Sequence, residues 1–526
     1  MKNRRARISV IILILGFCEY AVSSIKTTQQ TQPNIIFIMT DDHAVQAVSS
    51  YGSKLIQTPN IDRIGDEGVR FNNCFVTNSI CAPSRAVMLT GKYSHLNGLR
   101  DNRDRFDGEQ TTFPKLLQKA GYQTAIVGKW HLKTAPTGFD YWNVLIGQGA
   151  YYNPTMIENG DTLNYTGYTT DVITDLALET MEKRNKEKPF ALLYHHKAPH
   201  RNWMPSPKHF EMFKDDLPVP ETFFDDYATR TSAAREQDMR IDDMYLSMDM
   251  KLMPEDFEKE TGTGGQKSFN PVNSWLANYN RMTPEQKAAW DAHYEPIRKD
   301  YRENKRSGKE LAIWKYQRYI KDYLRCIASV DENIGRVLDY LDENGLTENT
   351  LVVYTSDQGF YLGEHGWYDK RFMYEESLRT PLVMRYPAKI KAGTVANAMA
   401  LNLDFASTFL ELAGAEIPND MQGRSLAALF NGRQPKDWRK SMYYEYYEYP
   451  HGWHDVKKHY GVRTMRYKLI HFYEDDEWEF YDLKKDPHEV SNIYGSHKSR
   501  KKVENLKKEL VRLRKQFKVP EAQAGH

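Results

Sequence analysis

Six short segments concentrate side chains that hold cations, grip anions and move protons. Asp41-Asp42 follow an apolar run at 34–39, and Ser356-Asp-Gln-Gly359 follow another at 350–355. Gly128-Lys-Trp-His-Leu132 and Ala198-Pro-His200 lie between them, and Gly363-Glu-His-Gly366 with Lys370 comes last. Lysines serve as point charges for an anion, and histidine titrates near neutrality, as a general acid or base requires. His131 stands two positions after Lys129, on the same side if the segment is extended. Cys81-Ala-Pro-Ser-Arg85 puts a thiol and an arginine ahead of an apolar stretch able to form a helix, whose first amides favour an anion. Read singly, each segment has a plainer meaning. The aspartates could cap a helix, the histidines could be packed, residues 363–366 could be a turn, and Cys81 could pair with Cys74 or Cys326.

The elements that must position these groups follow from periodicity. Apolar runs at 34–39, 124–128, 189–194 and 350–355 read as buried strands. Helical patterns lie between them at 112–120, 170–183 and about 311–344. Strands alternating with helices predict a mostly parallel sheet covered on both faces, with the site just beyond the strand ends. Residues 235–310 are polar and rich in Met and Lys, with a flexible turn at 261–265, and read as a helical insertion walling the cleft. After about residue 436, tyrosine-rich runs at 442–449, 461–473 and 477–481 predict a small antiparallel sheet. A last helix carries Val503, Leu506, Leu510, Leu513 and Phe517 on one stripe, with lysines and arginines elsewhere. It reads as a helix docked on the small sheet, with a clamp for an anionic polymer as the alternative.

Composition narrows the class. The 526 residues carry 72 Lys and Arg against 70 Asp and Glu, so no bulk positive field draws in nucleic acid. A 40% hydrophobic share argues against wholesale disorder, and four cysteines in this length exclude a disulfide scaffold. Lys2, Arg4, Arg5 and Arg7 precede the apolar run 8–17, and Ala21-Val-Ser23 offers a cleavage site, so residues 1–24 read as a secretory signal. That run is far short of the ~20 residues a bilayer span needs. The bulky Phe17 before Cys18 fits a lipoprotein anchor poorly. The mature chain is expected to be exported, periplasmic or secreted, with no integral membrane segment. Loss of Cys18 leaves Cys74, Cys81 and Cys326, an odd number that asks for a free or modified thiol. Gly91-Lys-Tyr93 lacks the other residues of a P-loop.

Cys81-Ala-Pro-Ser-Arg85 resembles the type I sulfatase signature C-x-P-S-R, whose cysteine is oxidised to Cα-formylglycine (3-oxoalanine). The resemblance runs from residue 34 to about 494 and takes in all six segments in the family's order. Within the family the chain looks most like bacterial polysaccharide sulfatases, including N-acetylglucosamine-6-sulfatases. It implies an α/β, alkaline-phosphatase-like fold: a large mixed sheet sandwiched by helices, with a smaller C-terminal α+β domain on an antiparallel sheet. The expected division is a catalytic domain at 25–435, with the 235–310 insertion, and a C-terminal subdomain at 436–526.

The resemblance also implies the site of a sulfuric ester hydrolase. Asp41, Asp42, Asp357, Gln358 and modified Cys81 would hold one Ca2+, with Gln358 standing where the family often has Asn. No cysteine pairs or histidine clusters accompany these acids, which argues against zinc. The formylglycine hydrate at 81 would attack sulfur, Arg85 would steady it, and Lys129 and Lys370 would grip sulfate oxygens. His131 would act as base and His200 would protonate the departing sugar oxygen. The partners implied are a sulfated carbohydrate, of ulvan, carrageenan or glycosaminoglycan type, and a formylglycine-generating or sulfatase-maturating enzyme. His43, Arg201, Trp203, His365, His454, His459 and Arg463 are candidates to select the sugar, or else pack the two domains together. Two other functions stay open: a phosphomono-, phosphodi- or phosphonate ester hydrolase of the same superfamily, and a noncatalytic sugar-binding protein.

Overall fold

Strand β1 (Asn34–Thr40) shows how the core divides: Ile36 and Ile38 join one buried cluster, Ile35, Phe37 and Met39 another. Side chains along a strand alternate between faces, so a wholly apolar run needs cover on both. In the computed structural model, which describes residues 32–262 and 268–521, helices supply that cover. The leader expected at 1–24 and most of the turn expected at 261–265 lie outside the described residues. Thr169–Lys183 and the 36-residue helix Gly308–Glu343 pack on one face. Cys81–Thr90, Phe113–Lys119 and Phe405–Leu412 pack on the other.

The next strands are β2 (Val69–Phe71), β3 (Cys74–Phe75), β4 (Gln123–Gly128), β5 (Tyr141–Leu145), β6 (Thr155–Glu158), β7 (Asp161–Asn164) and β8 (Phe190–His195). They are followed by β9 (Thr350–Ser356), β10 (Leu382–Arg385), β11 (Thr394–Ala396) and β12 (Ala400–Leu401). The main sheet has the order β11-β2-β10-β9-β1-β8-β4-β5-β6-β7, with β3 and β12 paired separately. Its centre, β9-β1-β8-β4-β5, is parallel, and antiparallel pairs flank it on both sides. The sheet is therefore mixed. Met39 stands level with His195 and Thr355, and Gly128 with His195, so the four central strands end along one edge.

A second sheet is antiparallel: β13 (Ser441–Tyr446), β14 (His459–Thr464), β15 (Tyr467–Phe472) and β16 (Glu477–Asp482), in that order. The single run expected at 461–473 is two strands, because Met465-Arg466 turn the chain back on itself. The Arg500–Gln516 helix docks Val503, Leu506, Leu510 and Leu513 into the core of this sheet. The insertion is helical mainly in its second half, at Pro271–Tyr279 and Pro284–Glu303. Before that, Met239, Ile241, Met244, Met248, Met250 and Leu252 are buried at spacings that break the 3.6-residue period, and the chain follows them in short turns. Among the described residues no helix is long and apolar enough to cross a membrane.

Candidate active site

Asp41-Asp42 leave β1, Lys129 leaves β4, Lys197 and His200 follow β8, and Asp357-Gln358 leave β9. Parallel pairing makes these exits converge at one edge of the sheet. Gly128 permits the exit from β4. Its φ is 103°, and a Cβ there would sit 1.9 Å from the His195 carbonyl oxygen, so only glycine fits. Cys81 opens a helix buried along its whole length and is itself 1% exposed, at the helix end where backbone dipoles favour negative charge. Cys74, Cys81 and Cys326 are all free, buried thiols, which removes the disulfide reading.

Three acids and three cations pair one to one beneath the cleft. Lys129 bonds Asp41, Lys370 Nζ stands 2.7 Å from Asp42 Oδ2, and Arg85 Nη2 lies 3.0 Å from Asp357 Oδ2. Arg85 also donates to the Lys129 carbonyl at 2.9 Å. Gln358 Nε2 donates to Asp42 Oδ1 at 2.5 Å and lies 3.8 Å from Cys81 Sγ. One oxygen each from Asp41, Asp42 and Asp357 lies within 4.8 Å of the others, and Asp41, Cys81 and His200 form a second such group. Among the described residues no hydrogen-bond donor reaches the buried Asp41 Oδ1 or Gln358 Oε1. An acceptor left so costs about 1–3 kcal/mol. A hard cation would satisfy both, and the oxygen-rich donor set suits one.

Burial raises the Asp42 carboxyl to about 6, against the pull of Lys370, and raises the Cys81 thiol to about 12. His131 and His200 are held well below the usual histidine range, by burial first and then by Lys129. A neutral His131 can accept a proton, and among the described residues its buried Nδ1 has no hydrogen-bond partner. His200 Nδ1 donates to the Arg201 carbonyl at 2.5 Å, and Nε2 lies 3.8 Å from Asp42 Oδ2. Burial brings Lys197 down to about 8. Asp42, His131, Asp369, Arg371 and His454 all have left-handed φ angles, between 60° and 94°. Such backbone costs about 1–3 kcal/mol per residue and persists only where surrounding packing enforces it.

A cleft of about 310 Å³ opens over Cys81, Lys197, His200, Arg201 and Lys370. Asn102, Gln148, Asn202, Asp369 and Arg371 add polar walls. Met248, Phe269, Ser274 and Asn278 bring the insertion to the rim, and Trp453 adds an aromatic face from the loop before β14. Sequence reasoning assigned no role to Lys197, Asp369 or Arg371. Their signal was adjacency, since Lys197 stands three before His200 and the other two flank Lys370. Trp453 lay within an aromatic run whose facing was unreadable.

Most of the residues expected to select the sugar do something else. Arg201 lines the cleft, held by Asp249 at 2.8 and 2.5 Å. His43 is fully buried and bonds Tyr354 and the Ala47 carbonyl. Trp203 is 0% exposed, its ring 4.5 Å from that of Tyr319, so it is core rather than a sugar platform. His365 is enclosed with Asp225, at 3.0 Å, and Arg230. His459 stacks on Phe372 and Tyr444 inside the small sheet. Arg463 is taken up by both oxygens of Glu375 at 2.9 Å. His454 stands behind the wall, 3.0 Å from Asp369 Oδ2, and orients that carboxylate instead of facing the cleft. Aromatic and basic residues near a site can pack as readily as they bind, and here the core of the main sheet takes His43 and Trp203 while the small sheet takes His459 and Arg463.

The Sulfatase family model matches residues 33–415, and the chain belongs to this family: it is a sulfuric ester hydrolase on an alkaline-phosphatase-like fold. A model for the C-terminal part of N-sulphoglucosamine sulphohydrolase matches residues 363–516. The chain is 51% identical over 520 residues to the N-acetylglucosamine-6-O-sulfatase of Bacteroides thetaiotaomicron, covering 97% of this chain and 91% of that one. The solved structure of BT4656 in complex with its substrate D-glucosamine-2-N,6-O-disulfate matches with a TM-score of 0.89 at 52% identity, over 93% of this chain and 99% of that one. The phosphonate monoester hydrolase of Silicibacter pomeroyi, at 20% identity and a TM-score of 0.66 over 92% and 96%, shares the fold alone.

Proposed function

We propose that this sulfatase removes the 6-O-sulfate from a glucosamine-type sugar, N-acetylated or N-sulfated, in saccharides derived from glycosaminoglycans. The observation that carries this reading is half-identity along nearly the whole chain to an enzyme of that name. The basic and then apolar pattern at 1–24, read as a secretory signal, supports work outside the cytoplasm. Residue 81 is read as formylglycine. Because Cys81 is 1% exposed and opens a buried helix, its oxidation by a maturation enzyme precedes the completion of folding.

When present, the hydrate of a formylglycine at 81 would supply two hydroxyls on one carbon: one attacks sulfur as the sugar oxygen leaves, and deprotonation of the other re-forms the aldehyde and releases sulfate by C–O cleavage. Asp41, Asp42, Asp357 and Gln358 would hold a Ca2+, which would supply net positive charge to a set of groups otherwise balanced pair by pair. The chain's own side chains do the rest. Lys370 and Lys197, both on the cleft, meet the sulfate oxygens, while Lys129 and Arg85 hold the acids in place from below. His131, neutral at pH 7, takes the proton. His200 is kept neutral partly by Lys129, Lys370 and Lys197. A sulfate anion arriving among those lysines counters their repulsion, so the ring gains the proton it then passes to the departing sugar oxygen. Asp369 and Arg371 are placed to read hydroxyls, and Trp453 to cover a face of the ring.

The test is sulfate release from defined saccharides by protein whose residue 81 has been checked by mass. N-acetylglucosamine-6-sulfate and glucosamine-2-N,6-O-disulfate should lose the 6-O-sulfate, and Cys81→Ala should abolish release without unfolding. Release from ulvan or carrageenan fragments alone would overturn the substrate class. Faster cleavage of aryl phosphonates than of aryl sulfates would overturn the sulfate preference.

A further inference from the structure

Sulfate hydrolysis in the cleft leaves the helix Arg500–Gln516 unexplained. Between positions 498 and 518 the sequence holds ten Lys and Arg against two Glu, while the whole chain carries only +2. Docking accounts for one stripe, Val503, Leu506, Leu510 and Leu513. On the opposite stripe Lys501, Lys508 and Lys515 recur at seven-residue intervals, ~10.5 Å apart along the axis, and all three are exposed. Among the described residues no ion pair or hydrogen bond engages their ammonium groups. Arg500 and Arg512 flank the row, and Glu504 is the acid on that side.

Helix stability does not account for this pattern. Arg514 and Lys515 suit the negative end of the helix dipole, but Arg500, Lys501 and Lys502 occupy the first turn, with no acid and no side-chain cap. There the dipole repels cations. The helix is firmly held, since Phe517 packs its ring 4.7 Å from Tyr93 and its carbonyl accepts from His95 Nε2 at 2.8 Å. A rigid rod with a row of free cations complements a polymer that bears anions at regular intervals.

We propose that this exposed face is a second binding surface, one that holds the sulfated polysaccharide whose ester groups the cleft removes. The identity of the polymer rests on the function proposed above, whereas the existence of an anion-binding face does not. The full-length protein is tested for heparin binding against salt, with a triple reversal (Lys501→Glu, Lys508→Glu, Lys515→Glu) and triple Gln and Arg versions. The reversal and Gln variants should bind heparin about 10- to 100-fold more weakly, with a salt slope shallower by roughly 2 to 3. The Arg version should retain binding, and turnover of N-acetylglucosamine-6-sulfate should be unchanged in all three. Heparin affinity unaltered in the folded Glu and Gln variants would overturn the proposal. So would tighter binding of duplex DNA, or of phosphatidylserine vesicles, than of heparin at the same salt. If protein with its native lysines and with formylglycine verified at residue 81 fails on 6-O-sulfated glucosamine, yet heparin binding is lost when the lysines are reversed, the substrate assignment falls and the surface stands.

Discussion

Lys197 stands on the cleft floor with an ammonium that burial has brought down to about 8. The sign follows directly. Below pH 8 the side chain is charged and can hold sulfate, and above pH 8 it is neutral and cannot. The kcat/KM for a sugar sulfate should therefore fall about tenfold per pH unit on the alkaline side, from a limb near pH 8. Lys197→Arg, charged throughout, should keep part of the activity and move that limb upward; an unmoved limb would deny Lys197 the role. Side-chain type alone did not reveal this residue, just as it misplaced Trp203 and His365. A tryptophan and a histidine are equally at home in a cleft and in a core, and the difference is which neighbours reach them.

Gly128 shows what the strands contribute. The chain must leave β4 with a left-handed turn while passing against the His195 carbonyl, and Lys129 N then donates to that same oxygen at 2.9 Å. Gly128→Ala brings a methyl to 1.9 Å from that oxygen, which only a backbone shift at β4 and β8 can relieve. We expect a loss of about 4 kcal/mol or more, as for other severe core lesions, and loss of sulfate release through displacement of Lys129 and His200. Gly345→Ala is the control, since its φ is 64° but no atom lies within 4 Å of the added methyl. It should cost only about 1 kcal/mol. Chemical unfolding and single-turnover sulfate release on both variants check the pair, and equal losses would place the effect in backbone strain alone.

At the scale of the whole molecule the two sheets share one core. Phe75 and Ile80, just before the Cys81 helix, and Val87 within it, pack in the same cluster as Met442, Tyr443, Val462 and Leu469 of the small sheet. Tyr444 OH donates to the Arg371 carbonyl at 2.5 Å and accepts from Ser79 N at 3.2 Å, tying β13 to both sides of the cleft. Glu479 accepts from Thr231 N and Oγ1, each at 2.9 Å, and anchors the segment leading into the insertion. A chain ending at residue 435 would expose that apolar cluster and free Arg371, so it should be insoluble or, if recovered, inactive. A soluble 1–435 fragment that releases sulfate at the full-length rate would refute this coupling.

Sequence by itself singled out groups that the fold gathers at one edge: the acids after two strands, Lys129 and Lys370, His131 and His200, and the cysteine at the head of a helix. Each sits within a few residues of a strand end or helix start, and parallel pairing carries such positions to a common edge. The strands and long helices were legible for the same reason, because their periods are local. Tertiary structure alone decided what surrounds the ester. Phe269 and Trp453 lie 184 positions apart and meet at the cleft rim with ring centroids 4.9 Å apart. Whether such residues face sugar or core depends on how an insertion and a second sheet close over the first, and that is set by packing between distant segments rather than by spacing along the chain.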